Sequence, residues 1–280
     1  MVSNGALAGM AVCAVTSAAL PIGAYLIARR SMALCLRNVL AGAVLFILFA
    51  RGLEWVVFVS VPRLAPQAEG WLRSHTPMLA LYGAAVSGVI EEAGRLLGLR
   101  YLARPREAPG TAVAYAIGHG GAEAIVVGVI GAMSIFVVGL LINMGQLDSA
   151  LGGYLSRSTL SQMLGLERAT APMMMLGGLE RACAFIFQIA LTLIVWRAVR
   201  TGAYWLLGAA VLAHIVLNLP VWLVVTGALQ LPLWVFEGIY IIPAAGVLAI
   251  LIIWLQPERP SVCFGARSFL LRRQPPAALD

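Results

Sequence analysis

The chain has no lysine and little charge of any kind. Charged residues make up 11% of its 280 residues, where a soluble domain carries roughly a quarter. Hydrophobic residues make up 61%, and mean hydropathy is +0.92. Water cannot solvate a surface of that composition, so soluble classes are excluded and the chain is read as a membrane protein. All 19 basic residues are Arg, a pattern of codon usage rather than of chemistry. They form no dense basic stripe, so the net charge of +7 does not point to a nucleic-acid partner. Basic cytoplasmic loops account for it better.

Cysteine is also scarce. Cys13, Cys35, Cys183 and Cys263 stand at no metal-ligand or redox spacing, so neither a zinc site nor a disulfide framework is read from them. They are expected to be small apolar fillers. A cleaved signal is not expected: no basic residue precedes the first apolar run, and Arg29 and Arg30 follow it. No internal repeat or low-complexity segment is evident.

What the chain has is long apolar runs. A span needs about 20 mostly apolar residues, and seven such runs occur, near 5–28, 38–61, 77–99, 109–142, 173–196, 203–226 and 231–255. The fourth is long enough to be tilted, kinked or broken in two. The expected fold is therefore an all-α polytopic membrane protein with seven to eight transmembrane helices in one bundle, over 1–256. A short basic cytoplasmic tail over 257–280 is expected to follow. Arg residues cluster after spans 1, 3, 5 and 7, at Arg29, Arg30 and Arg37, Arg100, Arg104 and Arg106, Arg197 and Arg200, and from Arg259 onward. That bias places the N-terminus outside and the C-terminus in the cytoplasm of a multi-pass cell-membrane protein. The loop over 143–172 then lies outside, as an interfacial helix or a cover over an access path.

Ionisable groups inside spans cost on the order of 3 kcal/mol each by insertion scales, so they mark where function sits. Span 3 carries Glu91, Glu92 and Arg95. Span 4 carries Tyr115, His119 and Glu123 within Gly-His-Gly-Gly-Ala-Glu, and span 6 carries His214 and Asn218. The pairs Glu91/Arg95, His119/Glu123 and His214/Asn218 are each four apart and share a helix face. At about 1.5 Å per residue, Glu91 lies roughly 12 Å from the cytoplasmic end of its span, His119 roughly 15 Å and His214 roughly 16 Å. Three motifs at one depth are what a shared site requires. The glycines around them, Gly83, Gly88, Gly94 and Gly98 in span 3 and Gly118, Gly120 and Gly121 in span 4, allow close helix approach.

Two adjacent carboxylates in a poorly solvated place cannot both ionise cheaply, and one is suited to act as a general base on water. Arg95 can hold the other charged, His119 can orient the water, and His214 and Asn218 are donors for an oxyanion. Base, water and oxyanion donors are the parts of amide hydrolysis. No Ser-His or Cys-His pairing stands out. Arg51 and Glu54, three apart in span 2, are expected to pair with each other structurally, as are Glu180 and Arg181. His75 and Glu237 are expected to be solvated near the outer interface.

These motifs resemble the YhfC family of intramembrane proteases, relatives of the CAAX prenyl endopeptidase and bacteriocin-processing group. The resemblance runs from about 77 to 220 and rests on Glu-Glu-x-x-Arg at 91–95, Gly-His-Gly-Gly-x-Glu at 118–123, Glu180-Arg181, and His-x-x-x-Asn at 214–218. It implies an intramembrane glutamic-type endopeptidase in which Glu91 activates water with help from His119, and His214 and Asn218 form the oxyanion hole. Glu92, Arg95, Glu123 and Gln188 would support them. Two positions depart from the wider pattern. Only two residues separate the Glu pair from Arg95, where the CAAX group has three, which leaves open which Glu is the base. Gln188 stands where a histidine is often found. The family is often described as metalloproteases, and in that variant Glu91, His119 and His214 would bind zinc with an open position. No His-Glu-x-x-His run is present and each of these spans supplies one histidine, so the expectation is that no cofactor is required. The partners expected are membrane lipid and a peptide or membrane-protein substrate, with no nucleic acid.

Two rival classes use the same residues. A proton-coupled transporter or channel would use buried Glu, His and Arg as a relay, although no inverted repeat is visible. A non-catalytic immunity or scaffold protein would tolerate Gln188. The orientation is testable by cysteine labelling. Single cysteines placed at 143–172 should react with an impermeant maleimide in intact cells, and cysteines near Arg100 or Arg200 should react only after permeabilisation.

Overall fold

The computed structural model describes residues 1–104 and 108–254. The expected tail, and Arg106 among the orientation residues, lie outside the described residues. Among those described there is no strand. Helices α1 (Asn4–Ser31), α2 (Leu36–Phe46), α3 (Glu54–Leu64), α4 (Pro66–Ser74), α5 (Thr76–Leu97) and α6 (Pro109–Glu123) come first. They are followed by α7 (Gly131–Asn143), α8 (Leu147–Leu151), α9 (Arg157–Leu164), α10 (Ala171–Thr201), α11 (Trp205–Val225) and α12 (Leu233–Trp254). The protein is a polytopic all-α membrane protein. Large apolar side chains such as Val15, Ile27, Leu212 and Ile242 are exposed around the bundle, as a lipid-facing surface requires.

Six helical segments among the described residues are long and apolar enough to cross a membrane. The expected count of seven to eight differs because of α5. It is 22 residues long, but Glu91, Glu92 and Arg95 lower its hydropathy, and it is not one of the six. The long fourth run is a single 35-residue segment, Pro109–Asn143. It is not broken into two separate helices. A π-helical stretch, Ala124–Ile130, joins α6 to α7. A second π stretch, Ile47–Leu53, joins α2 to α3, and a third, Gly98–Leu102, extends α5. Wider turns of this kind are frequent at functional sites, and here each one adjoins a helix carrying ionisable residues.

Helix α10 is the central element, packed on α1, α6, α11 and α12, while α2 packs on α6 and α5 on α11. The main core gathers Tyr115 and Ile117 of α6, Phe185, Leu191, Val195 and Trp196 of α10, and Ala210 of α11. A second core at the other end joins Val2, Ala6 and Met10 to Ile142, Leu147 and Leu160. The expected outer loop therefore holds α8 and α9, folded against the start of α1. Asn143 fastens that corner by accepting from the Val2 amide at 2.7 Å and donating to its carbonyl at 2.9 Å. Cys13 and Cys183 are free and buried in the bundle, as fillers should be.

The crossing of α2 and α6 is close enough to exclude a side chain. A Cβ on Gly118 would meet the backbone carbonyl of Val39, and backbone does not yield as a flexible side chain does. This contact sets the position of His119, the next residue. Gly118→Ala should therefore destabilise the protein by about 1–3 kcal/mol through overpacking, read by equilibrium unfolding in mixed micelles. Gly131→Ala, where a Cβ meets nothing within 4 Å, should leave stability nearly unchanged.

Candidate active site

The three motifs meet. Glu91 and Glu92 lie on the buried face of α5, His119 on α6 and His214 on α11, and all four are buried. His119 Nε2 stands 3.3 Å from Glu91 Oε2, His214 Nε2 stands 3.9 Å from the same oxygen, and His214 Nδ1 stands 2.7 Å from Glu92 Oε1. The shared depth read from the sequence is thus a shared location.

The two carboxylates differ in setting. Glu92 is wholly buried. Its Oε1 takes hydrogen bonds from Arg95 Nη1 and from His214, and its Oε2 has no partner among the described residues. Arg95 is equally buried and also donates through Nη2 to Gln188 Oε1 of α10. Of the two carboxylates that Arg95 could hold, its ion pair is with Glu92, three residues away. Glu91 lies in the wall of a cavity of about 290 Å³, and His214, Asn218, Glu123 and Gln188 lie in the same wall. Neither Glu92 nor Arg95 touches it, nor does His119, which sits behind Glu91. The ring of His119 is held edge-on by Phe46 at 5.2 Å and stacked on Tyr115 at 6.2 Å.

Gln188 is the junction of the site. Its Oε1 accepts from Arg95, and its Nε2 donates to Glu123 Oε2 at 2.5 Å and reaches Glu91 Oε2 at 3.5 Å. A guanidinium only donates and an ionised carboxylate only accepts, so an amide, having both functions, is the neutral group that serves both neighbours. Glu123 turns to Gln188 and to Arg181, at 3.4 Å, rather than to His119. Arg181 also pairs with Glu180.

Arg51, Glu54, Glu180 and Arg181, expected to be structural, also line the cavity, as does Ser87. No ion pair joins Arg51 to Glu54. Arg51 lies over the Phe46 ring at 5.5 Å, and Glu54 accepts from Ser87 at 3.4 Å. Glu237, expected to be solvated, is buried, with one carboxylate oxygen unpartnered.

The chain matches the YhfC intramembrane metalloprotease family over residues 16–240, a range that contains every residue of this site. It belongs to that family. It is 30% identical over 231 residues to a Bacillus subtilis (strain 168) protein described as "Uncharacterized membrane protein YhfC", covering 82% of this chain and 89% of that one. No solved structure matches it.

The family's description raises the question of a metal. Two imidazoles and a carboxylate are suitable donors for zinc, and Glu92 on His214 Nδ1 is the kind of support a metal-bound imidazole has. The arrangement does not complete a site. Among the described residues, His119 Nδ1 is buried with no hydrogen-bond partner, where a ligating histidine almost always has its second nitrogen held. Among the described residues, no group of three His, Cys, Asp or Glu is placed to hold a metal.

Gln188→Leu should leave Arg95 and Glu123 short of partners inside the bundle. Each buried group left unsatisfied costs about 1–3 kcal/mol, so unfolding in mixed micelles should show a loss of at least that size.

Proposed function

We propose that this protein is an intramembrane endopeptidase in which Glu91 activates water. The observation that carries the proposal is the position of Glu91, in the wall of a cavity inside the bundle with His214 and Asn218 in the same wall. The family match, to a group described as metalloproteases, supports a peptidase. Because the donors do not complete a metal site, no step is assigned to a metal.

In the proposed reaction a water beside Glu91 gives its proton to the carboxylate, and its oxygen bonds to the carbonyl carbon of the substrate. The carbonyl electron pair moves onto the oxygen, which accepts from Asn218 and from His214 Nε2. With a proton on each nitrogen, His214 donates to Glu92 on one side and to the oxyanion on the other. As the tetrahedral intermediate collapses, the C–N bond breaks and Glu91 returns its proton to the leaving nitrogen. His119, 3.3 Å from Glu91, is a positioning residue that keeps the carboxylate turned to the cavity. Glu92 and Arg95 neutralise one another behind it, so Glu91 is the carboxylate left facing the water-accessible side. On the Arg distribution, the cut falls in the half of the membrane nearer the cytoplasm.

The test uses the full-length protein in lipid nanodiscs with a mixed peptide library, products being read by mass spectrometry. Glu91→Gln should lower the rate about 10²–10⁴-fold, as loss of a general base does, and Asn218→Ala about 10²–10³-fold. Both variants should unfold at the wild-type midpoint to within a few degrees. Unchanged cleavage in Glu91→Gln would refute the assignment. Chelation should leave the rate unchanged, and inactivation reversed by zinc would replace the proposed water activation by metal catalysis. If no peptide is cut while protons cross liposomes, the transporter reading replaces the peptidase.

A further inference from the structure

The cavity has three acidic groups that the reaction above does not use. Four carboxylates line it: Glu54, Glu91, Glu123 and Glu180. Glu91 has two histidines within 4.0 Å, and Glu123 and Glu180 share Arg181. Among the described residues, Glu54 has no cation within ion-pair distance. It is only 9% exposed, its Oε2 accepts from the Ser87 hydroxyl at 3.4 Å, and its Oε1 is buried without a partner. Burying an ionised carboxylate is unfavourable unless it is paired, so Glu54 holds its charge only when a cation sits beside it.

Its placement is specific. Leu53 and Trp55, on either side, are exposed at 42% and 65%, so Glu54 is turned inward between two exposed neighbours. It follows directly on the π stretch Ile47–Leu53. Its partner Ser87 lies four residues before Glu91 on α5, roughly 6 Å along the helix. An extended peptide advances about 3.3 Å per residue. A peptide lying extended along α5 with its scissile carbonyl at Glu91 would bring a residue one or two positions away beside Glu54.

We propose that Glu54 is a specificity-determining residue: its carboxylate takes the ammonium or guanidinium of a substrate residue one or two positions from the scissile bond. The inference rests on the peptidase reading. The shared chemistry is a cation, supplied by a Lys or Arg side chain or by a free N-terminus.

The experiment uses the full-length protein in nanodiscs and internally quenched peptides of one length. They carry Lys, Arg, norleucine or citrulline at the two positions on each side of the cleaved bond, with the N-terminus free or acetylated. Wild type should cut the cationic peptides about tenfold better in kcat/KM than their neutral counterparts, the scale of a buried charge contact. Glu54→Gln should bring that ratio close to one, and Glu54→Asp, which keeps the charge on a shorter arm, should retain part of it. Sensitivity to acetylation identifies the terminal amine as the source, and sensitivity to Lys or Arg identifies the side chain. If Glu54→Gln does not fold, Glu54→Asp and the wild-type preference decide. Equal cleavage of cationic and neutral peptides by wild type, or an unchanged ratio in Glu54→Gln, would overturn the inference and leave the peptidase standing. If nothing is cut, fluorescently labelled Lys and norleucine peptides are compared by anisotropy. Tighter binding of the Lys peptide, lost in Glu54→Gln, supports the cation site while the peptidase reading falls. Equal binding overturns it.

Discussion

Everything at the centre of this protein depends on how Arg95 and Glu92 are neutralised where no water reaches them. Both are completely buried, and a charge in that setting persists only with partners close by. The partners come from other helices. Glu92 is held by His214 of α11, and Arg95 by Gln188 of α10. The same requirement that keeps the pair neutral therefore ties α5 to both neighbours. Gln188 passes the link on to Glu123 of α6. A site assembled from four helices acquires its geometry from one electrostatic constraint, and Glu91 is the carboxylate left over to face the cavity.

The parts of this arrangement legible in the sequence were those that break the apolar pattern. Glu91, His119 and His214 are conspicuous because ionisable groups are costly within a span, and the rise of a helix converts their positions into depths that can be compared. Gln188 carried no such signal and entered only through the family resemblance. An amide is cheap enough to pass as an ordinary polar residue, and its place at the junction comes from the rotation of α10 against α5 and α6. Arg51 and Glu54 misled for a geometric reason. Three residues apart, they neighbour each other on an α-helix, but Arg51 lies in the π stretch Ile47–Leu53, where wider turns alter the angle between positions. Helix α5 falls outside the six apolar segments for a related reason. The residues that give α5 its interest lower its hydropathy, so the helix closest to the chemistry is the one least like a lipid-facing span.

Family membership and site geometry carry different information. The match over residues 16–240 assigns the chain to a family described as intramembrane metalloproteases, while the aligned Bacillus subtilis protein carries no function in its description. The roles of individual residues rest on where the side chains are. On that basis the two glutamates of one motif are not equivalent: one lies in the wall of a cavity and the other is sealed inside an ion pair.

The continuous segment Pro109–Asn143 has a consequence for the lipid around it. Its 35 residues span about 52 Å at the rise of an α-helix, against a hydrocarbon layer of about 30 Å. Such a mismatch is relieved by tilting, by bending, or by thickening the bilayer locally. The segment that carries His119 is thus coupled mechanically to membrane thickness. Membrane thickness acts on the inclination of the whole segment, while the backbone contact of Gly118 with Val39 holds His119 in its place along it.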